Sequence, residues 1–140
     1  MIISTWFLRI QKLDPNPARP IPGSETLVKV LGVFPWAVVT SSSLRMCPER
    51  LAAGRIPVPP VVVTKEDVAA EKPSPEGYRL ALRQLRIAAR DAIPVEDSPA
   101  GITAAKAAGL RTITVATTHE TPSLEQADIV IPGMHSIKCR

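Results

Sequence analysis

The chain has 140 residues, of which 45% are hydrophobic, and this combination predicts a globular domain with its own core and excludes a disordered chain. Aromatic residues make up only 4% of the chain, so the core must consist mainly of Val, Ile, Leu and Ala. The net charge of +4 comes from residues 1–60, without a basic run or interleaved aromatics, which argues against a nucleic-acid partner.

Cysteine, histidine and apolar patterns exclude further classes of protein. Cys47 and Cys139 belong to no CxxC motif, which favours a reducing, cytoplasmic setting. His119 and His135 have no ligand spacing, and no apolar run is long enough to cross a membrane. Residues 1–10 are apolar but lack the basic start and the cleavage site of a signal peptide. The sequence does not indicate an oligomeric state.

The first half of the chain predicts strands and short helices separated by turns. The predicted elements are a strand over residues 1–10, a loop from Asp14 to Pro22, a helix from Glu25 to Leu31, a strand from Trp36 to Thr40, a helix from Leu44 to Gly54 and a strand from Val61 to Thr64. The unbroken apolar strand that ends at Thr40 suits burial on both faces of a parallel sheet. Pro48 is tolerable only near the start of its helix.

The second half continues the alternation. The predicted elements are a short helical or looped segment from Lys65 to Glu71, a long helix from Pro75 to about Arg90 capped by Ser74, a strand from Ala92 to Glu96, a helix from Pro99 to Ala108, and strands from Thr112 to Ala116 and from Asp128 to Ile131. Ser98 can cap the helix that Pro99 begins, and Gly109 supplies a left-handed stop. Strands that alternate with helices predict a doubly wound α/β fold with a parallel sheet.

Three polar loops follow three of the predicted strands. They carry Thr40-Ser41-Ser42, Lys72 and Glu96-Asp97. The carboxyl ends of parallel strands form the edge at which open α/β sheets bind ligands. Hydroxyl and N–H groups, one ammonium group and two carboxylates suit phosphoryl transfer, in which catalysis is mainly positioning and electrostatics. Two carboxylates also suit Mg²⁺, which takes oxygen ligands and commonly works with a phosphate.

Each loop alone also has a simpler explanation. A Thr-Ser-Ser run is commonly a turn and a helix cap. A lone lysine before a proline is commonly a solvated surface residue, and an acid before a helix start can simply interact with the helix dipole. The order and spacing of the three loops are what make the combination specific.

Residues from about 21 to 137 resemble the C-terminal part of a haloacid dehalogenase-superfamily phosphatase, in the branch of sugar phosphatases, glycerol phosphatases and β-phosphoglucomutase-like proteins. The resemblance rests on Pro-Trp-Ala-Val-Val-Thr-Ser-Ser-Ser at 35–43, on Val-Thr-Lys-Glu-Asp-Val at 63–68, on Lys-Pro-Ser-Pro-Glu-Gly-Tyr at 72–78, on Glu-Asp-Ser-Pro-Ala-Gly-Ile at 96–102 with Ala-Ala-Gly at 107–109, and on Val-Ala-Thr-Thr at 115–118. It implies a Rossmann-like core that is incomplete and lacks the helical cap domain.

The resemblance also implies roles for the phosphate-binding residues. Thr40 would bind the transferring phosphoryl group through its hydroxyl, with the Ser41 N–H assisting. Ser42 would lie nearby and could touch substrate. Lys72 would neutralise the phosphoryl group and the nucleophile.

The same resemblance implies a metal and a reaction. Asp97 would bind Mg²⁺ directly, and Glu96 would support the ion through a bound water. The family's reaction is hydrolysis of a small phosphorylated metabolite, such as a sugar or glycerol phosphate, through an aspartyl-phosphate on a separate nucleophile.

The family's nucleophile motif, Asp-x-Asp-Gly-Thr, does not occur in this sequence. The only near-match is Asp14-Pro15-Asn16, which an ordinary proline-rich turn explains better. Residues 1–20 are therefore expected to form an atypical segment in place of the nucleophile strand and cap, and residues 21–140 to form the core. We expect residues 2–9 to fill the central strand slot in parallel with both neighbours; otherwise those neighbours pair directly.

Three smaller departures point to an incomplete gene product or a decayed copy. Glu71 and Arg86 each stand where the family usually has glycine, and Pro94 lies in a strand that should be central. Three hypotheses remain open: a truncated phosphatase without turnover, a non-catalytic module that binds phosphate or a partner, and a fragment with no function of its own.

Overall fold

A computed structural model describes residues 2–4, 8–9, 19–20, 22–32, 34–116 and 126–137. Several residues discussed above lie outside this part of the chain: Asp14, Pro15, Asn16, Thr117, Thr118, His119 and Cys139. None of the helices in the described part combines the length and the apolar character needed to cross a bilayer.

The described residues form short strands and four helices. The strands are β1 (Ile2–Ser4), β2 (Leu8–Arg9), β3 (Arg19–Pro20), β4 (Ala37–Val39), β5 (Val61–Val63), β6 (Pro94–Glu96), β7 (Ile113–Val115) and β8 (Ile129–Ile131). The helices are α1 (Ser24–Leu31), α2 (Met46–Ala53), α3 (Glu76–Leu85) and α4 (Pro99–Ala107). Single 3₁₀ turns cover Lys65–Asp67, Ala89–Asp91 and Met134–Ser136.

Six strands form one sheet in the order β5-β4-β1-β6-β7-β8, and every neighbouring pair is parallel. Parallel neighbours need crossover connections, and α2 lies in the connection from β4 to β5 and α4 in the connection from β6 to β7. The predicted α/β fold with a parallel, Rossmann-like sheet is therefore confirmed.

The N-terminal residues fill the centre of this sheet. Ile2 pairs in parallel with Ala37 on one side and with Pro94 on the other. The prediction for the central slot is thus confirmed for β1, and β4 and β6 do not pair with each other. It is wrong for Leu8–Arg9, which pairs antiparallel with Arg19–Pro20 in a separate two-stranded sheet. A charged arginine suits this small sheet better than a central strand covered on both faces.

Side chains on the two faces of the sheet build two apolar clusters. On one face α1 and α2 pack against a cluster that includes Val38, Val95 and Val115. On the other face α3 and α4 pack against a cluster that includes Val39 and Val63. Because successive strand residues point to opposite faces, Val95 faces α1 and α2 while its neighbour Glu96 faces α3 and α4.

The long helix α3 is shorter than predicted. It ends at Leu85 instead of Arg90, because Arg86 adopts the left-handed region with φ 57° and stops the helix. This is the position at which the family usually has glycine, so a strained arginine performs the same turn. The helix begins at Glu76 with Pro75 as its N-cap, so the prediction of Ser74 as the cap and Pro75 as the first helical residue is wrong by one residue. Ser74 Oγ still accepts a hydrogen bond from Glu76 N at 3.3 Å.

The helix after the two acids forms as predicted. Ser98 Oγ accepts a hydrogen bond from Gly101 N at 3.1 Å, Pro99 is the first helical residue, and Gly109 follows the helix with φ 80°. Pro94 lies in a central strand, but at its first residue, where a missing N–H costs least.

Candidate functional site

A cleft lies at the carboxyl ends of β4 and β5, against the segment that leads into α3. Its lining includes Val39, Thr40, Ser41, Val63, Thr64, Lys65, Glu71, Lys72, Ser74, Gly77 and Tyr78. Two of the three predicted loops therefore meet in one cleft, although they are far apart in sequence.

The loop after β4 is held in place by two hydrogen bonds of Thr40, one to β5 and one within the loop. Thr40 N donates to Val63 O at 2.8 Å, and Thr40 Oγ1 accepts from Ser42 N at 2.9 Å. Thr40 is buried and Ser41 is exposed. An oxygen that accepts from a backbone amide can still donate its own proton, so the Thr40 hydroxyl can reach an anion in the cleft as a donor.

Ser42 has a different environment from its two neighbours. Its hydroxyl is buried and accepts a hydrogen bond of 2.6 Å from Arg50 Nη1 on α2, and its carbonyl accepts from Lys65 N at 3.3 Å. Ser42 is not among the described residues that line the cleft. The structure thus places its side chain as a link between the β4 loop, α2 and the β5 loop.

Lys72, which lines the cleft, forms an ion pair with Glu96 on β6. Lys72 Nζ lies 2.6 Å from Glu96 Oε1 and also donates to Val39 O at 3.3 Å. The lysine side chain is 11% exposed and the glutamate 0% exposed, so water screens this pair weakly. The ion pair therefore joins the loop that carries Lys72 to the loop that carries Glu96 and Asp97.

Glu96 and Asp97 are adjacent in sequence but differ in burial. Glu96 Oε1 accepts from both Lys72 and the hydroxyl of Tyr78, and Glu96 Oε2 lies 3.5 Å from Ser98 Oγ. Asp97 is partly buried. Within the described residues there is no group of three or more His, Cys, Asp or Glu side chains that could together hold a metal ion.

The segment that carries Lys72 is fastened to α3 by a carboxylate. Glu76 accepts hydrogen bonds from Ala69 N and Ala70 N, both at 3.0 Å, through its two oxygens. These backbone donors lower the pKa of the Glu76 carboxyl group, because they favour its charged form. The backbone just before Lys72 is therefore held against α3 by these two hydrogen bonds.

Three residues around the cleft have contacts that the sequence did not predict. Tyr78 contacts the ion pair, Lys65 adds a second cation to the lining, and Arg50 fixes Ser42. Glu71, which departs from the family pattern, also lines the cleft and brings a negative charge to it. A tyrosine six residues after the lysine was visible in the sequence, but its direction depends on α3 and could not be read from spacing.

Comparison with known proteins identifies the family. A family model described as haloacid dehalogenase-like hydrolase matches residues 5–115. Hexitol phosphatase A of Escherichia coli strain K12 is 34% identical over 140 residues, which cover 96% of this chain and 65% of that protein. Glycerol-1-phosphate phosphohydrolase 1 of Saccharomyces cerevisiae is 32% identical over 130 residues, covering 84% of this chain and 52% of that protein. The chain thus spans less than two thirds of the length of these relatives.

Solved structures agree. The crystal structure of CbbY from Rhodobacter sphaeroides in complex with phosphate matches with a TM-score of 0.72 and 33% identity, over 85% of this chain and 56% of that one. A hydrolase from Pseudomonas syringae matches with a TM-score of 0.77 at 20% identity, over 84% of this chain and 56% of that one, which supports the fold alone. Together with the cleft, these matches show that the chain belongs to the haloacid dehalogenase-like hydrolases, in their sugar-phosphatase branch.

Proposed function

We propose that this chain carries the phosphate-binding part of a phosphatase site for small phosphorylated metabolites, such as sugar or glycerol phosphates. The observation that carries the proposal is the meeting of Thr40, Ser41 and Lys72 in one cleft. The names of the two relatives, a hexitol phosphatase and a glycerol-1-phosphate phosphohydrolase, support this class of substrate. In this proposal residues 1–20 take the place of the family's nucleophile strand and cap, and residues 21–140 supply the rest of the core.

The phosphate would be held by donors of three kinds. The Thr40 hydroxyl and the Ser41 N–H donate hydrogen bonds to its oxygens, and the Lys72 ammonium group neutralises part of its charge. Charge-assisted hydrogen bonds are the stronger kind, so Lys72 should contribute most to affinity. Ser42 would help to hold the loop after β4 in place through its hydrogen bond with Arg50 on α2.

Asp97 and Glu96 fit a divalent cation by chemical type, since both offer carboxylate oxygens. In the described structure Glu96 Oε1 already accepts two hydrogen bonds, so Asp97 is the candidate direct ligand and Glu96 would act through a bound water. A bound Mg²⁺ would neutralise phosphoryl charge in this family of reactions.

The proposal also predicts that residues 1–140 alone hydrolyse phosphate esters slowly or not at all. Thr40, Lys72 and Asp97 can stabilise a phosphoryl group, but none of them is the aspartate of an Asp-x-Asp-Gly-Thr motif, which the sequence lacks. Loss of the nucleophile from a catalytic unit typically lowers the rate about 10⁴-fold or more. We therefore expect residues 1–140 on their own to bind phosphate and to show little or no hydrolysis.

The test combines binding with turnover. Titration of inorganic phosphate, followed by NMR, should give an affinity that falls in Lys72→Ala and Thr40→Val and is unchanged in Lys29→Ala, an exposed lysine on α1 that gives the same charge change. Equal loss in Lys29→Ala would show a general charge effect and would count against the cleft.

For turnover, the 140-residue chain should hydrolyse sugar phosphates, glycerol phosphate and p-nitrophenyl phosphate no faster than a Lys72→Ala, Asp97→Ala double variant. Addition of a preceding segment with Asp-x-Asp-Gly-Thr and a cap should raise Mg²⁺-dependent hydrolysis. Efficient hydrolysis by the chain as it stands, abolished by Asp14→Asn, would instead assign the nucleophile to Asp14.

A further inference from the structure

Tyr78 is the single tyrosine of the chain, and it is a completely buried residue of the cleft lining. Its hydroxyl donates to Glu96 Oε1, the same oxygen that accepts from Lys72. The Lys72 Nζ atom also lies 5.3 Å from the centroid of the tyrosine ring. One aromatic side chain therefore contacts both members of the ion pair.

The shared oxygen couples the tyrosine to the lysine. A carboxylate with no exposure to water depends on protein donors for all of its hydrogen bonds, and Glu96 is 0% exposed. Because Tyr78 supplies one donor to Oε1, Lys72 does not have to satisfy that oxygen alone. Without the phenol, the same carboxylate would draw the ammonium group more strongly.

From this geometry we infer that Tyr78 is a positioning residue of the phosphate cleft. By sharing Glu96 Oε1, it limits how strongly Glu96 holds Lys72, and so it leaves the lysine charge more effective toward an anion bound beside Thr40 and Ser41. The inference rests on the proposed phosphate site, and it adds a residue to which the resemblance in sequence assigned no role.

The first experiment is a double-mutant cycle with inorganic phosphate as the probe. Tyr78→Phe keeps the ring and removes only the hydroxyl, and we expect it to weaken phosphate binding about 3- to 10-fold, the size of the net effect of one ordinary hydrogen bond. In a Glu96→Gln background the same change should have little effect, because the charge that competes for Lys72 is gone.

The cycle separates positioning from packing. Equal losses of affinity in both backgrounds would mean that Tyr78 acts through packing alone and would overturn the inference, as would an unchanged affinity in Tyr78→Phe. Thermal unfolding of each variant, followed by circular dichroism, shows whether the compared proteins are folded.

A second experiment needs no affinity measurement. Since the chain has one tyrosine, the tyrosine doublet in its ultraviolet Raman spectrum reports Tyr78 alone. We expect the signature of a strong hydrogen-bond donor in the unmodified chain and a weaker donor signature in Glu96→Gln, because a neutral amide oxygen is a poorer acceptor than a carboxylate. A phenol that is not a donor in the unmodified chain overturns the inference even if phosphate binds. If the Raman signature is present but the unmodified chain binds no phosphate, the proposed function fails and the positioning role fails with it.

Discussion

The backbone of Gly101, in the first turn of α4, lies directly against the carboxylate of Glu96. A Cβ atom at residue 101 would overlap all three atoms of that carboxyl group. The glycine therefore makes the space in which the acid can remain buried next to Lys72 and Tyr78.

Gly101→Ala should displace Glu96 from this space. The added methyl group forces the carboxylate away from the ammonium group and the phenol, and we expect the free energy of unfolding to fall by about 1–3 kcal/mol, as for other overpacked sites. Chemical denaturation measures the change. Phosphate titration of the same variant should show altered affinity, because the partner of Lys72 has moved.

Gly77→Ala is the matched control for this substitution. It is also a glycine in the first turn of a helix, but its Cβ would lie 3.0 Å from Val39 Cγ1, a side-chain atom that can shift slightly. Its cost should be clearly smaller. If Gly101→Ala were as stable as the unmodified chain, the buried position of Glu96 would be wrong.

Thr112, directly before β7, and Thr114, within β7, should respond oppositely to replacement by valine. The Thr114 hydroxyl is buried and has no hydrogen-bond partner among the described residues, so Thr114→Val should stabilise the fold by on the order of 1 kcal/mol. Thr112 Oγ1 donates to Asp128 Oδ2 and accepts from Asp128 N, both at 3.3 Å, so Thr112→Val should destabilise it by a similar amount. Urea unfolding of both variants measures the difference, and two changes of equal sign would contradict the assignment.

Asp128 should make stability depend on acid pH. Hydrogen bonds from Lys106 and from the backbone N–H of Thr112 lower the pKa of its carboxyl group from 3.8 to about 2. Because the folded-state pKa lies below the ordinary value, the stabilisation is complete above about pH 4 and is lost as the pH falls toward 2. The stability difference between the unmodified chain and Asp128→Asn should therefore be largest near neutral pH and should shrink below pH 4. A difference that does not change between pH 6 and pH 2 would refute this.

Magnesium should bind weakly and through Asp97. Among the described residues no group of three or more His, Cys, Asp or Glu side chains could hold a metal ion together, and Glu96 is engaged by other donors. Mg²⁺ demands near-octahedral oxygen coordination and gives up water reluctantly. We expect a dissociation constant on the order of millimolar or weaker. Calorimetric titration should show its loss in Asp97→Asn and its retention in Asp91→Asn, an exposed aspartate of the same charge. Micromolar binding that survives Asp97→Asn would refute the assignment.

Local signals in the sequence predicted much of this structure. Ser98 and Pro99 begin α4 as expected, and the apolar run before Thr40 is a buried strand. Local signals were insufficient where tertiary contacts decide the conformation. Arg86 takes a left-handed conformation that its residue type disfavours, so the end of α3 was missed.

The candidate site, too, was predicted only in part, because tertiary contacts decide the rest of it. The order of the strands brings Thr40 and Lys72 to one edge, and general rules for parallel sheets predict that meeting. The ion pair between Lys72 and Glu96 and its contact with Tyr78 depend on side-chain directions across α3 and β6. Spacing along the chain does not contain that information.

The pairing of Ile2 with both Ala37 and Pro94 has a consequence for synthesis on the ribosome. The central strand β1 is translated before both of its neighbours, and β6 follows only after β4, β5 and the helices between them. Non-local pairing of this kind slows folding, because loop closure must precede the contacts that reward it. Until β6 leaves the exit tunnel, one edge of the central strand stays open to pairing with other nascent chains, and a holding chaperone would have its greatest effect during that interval.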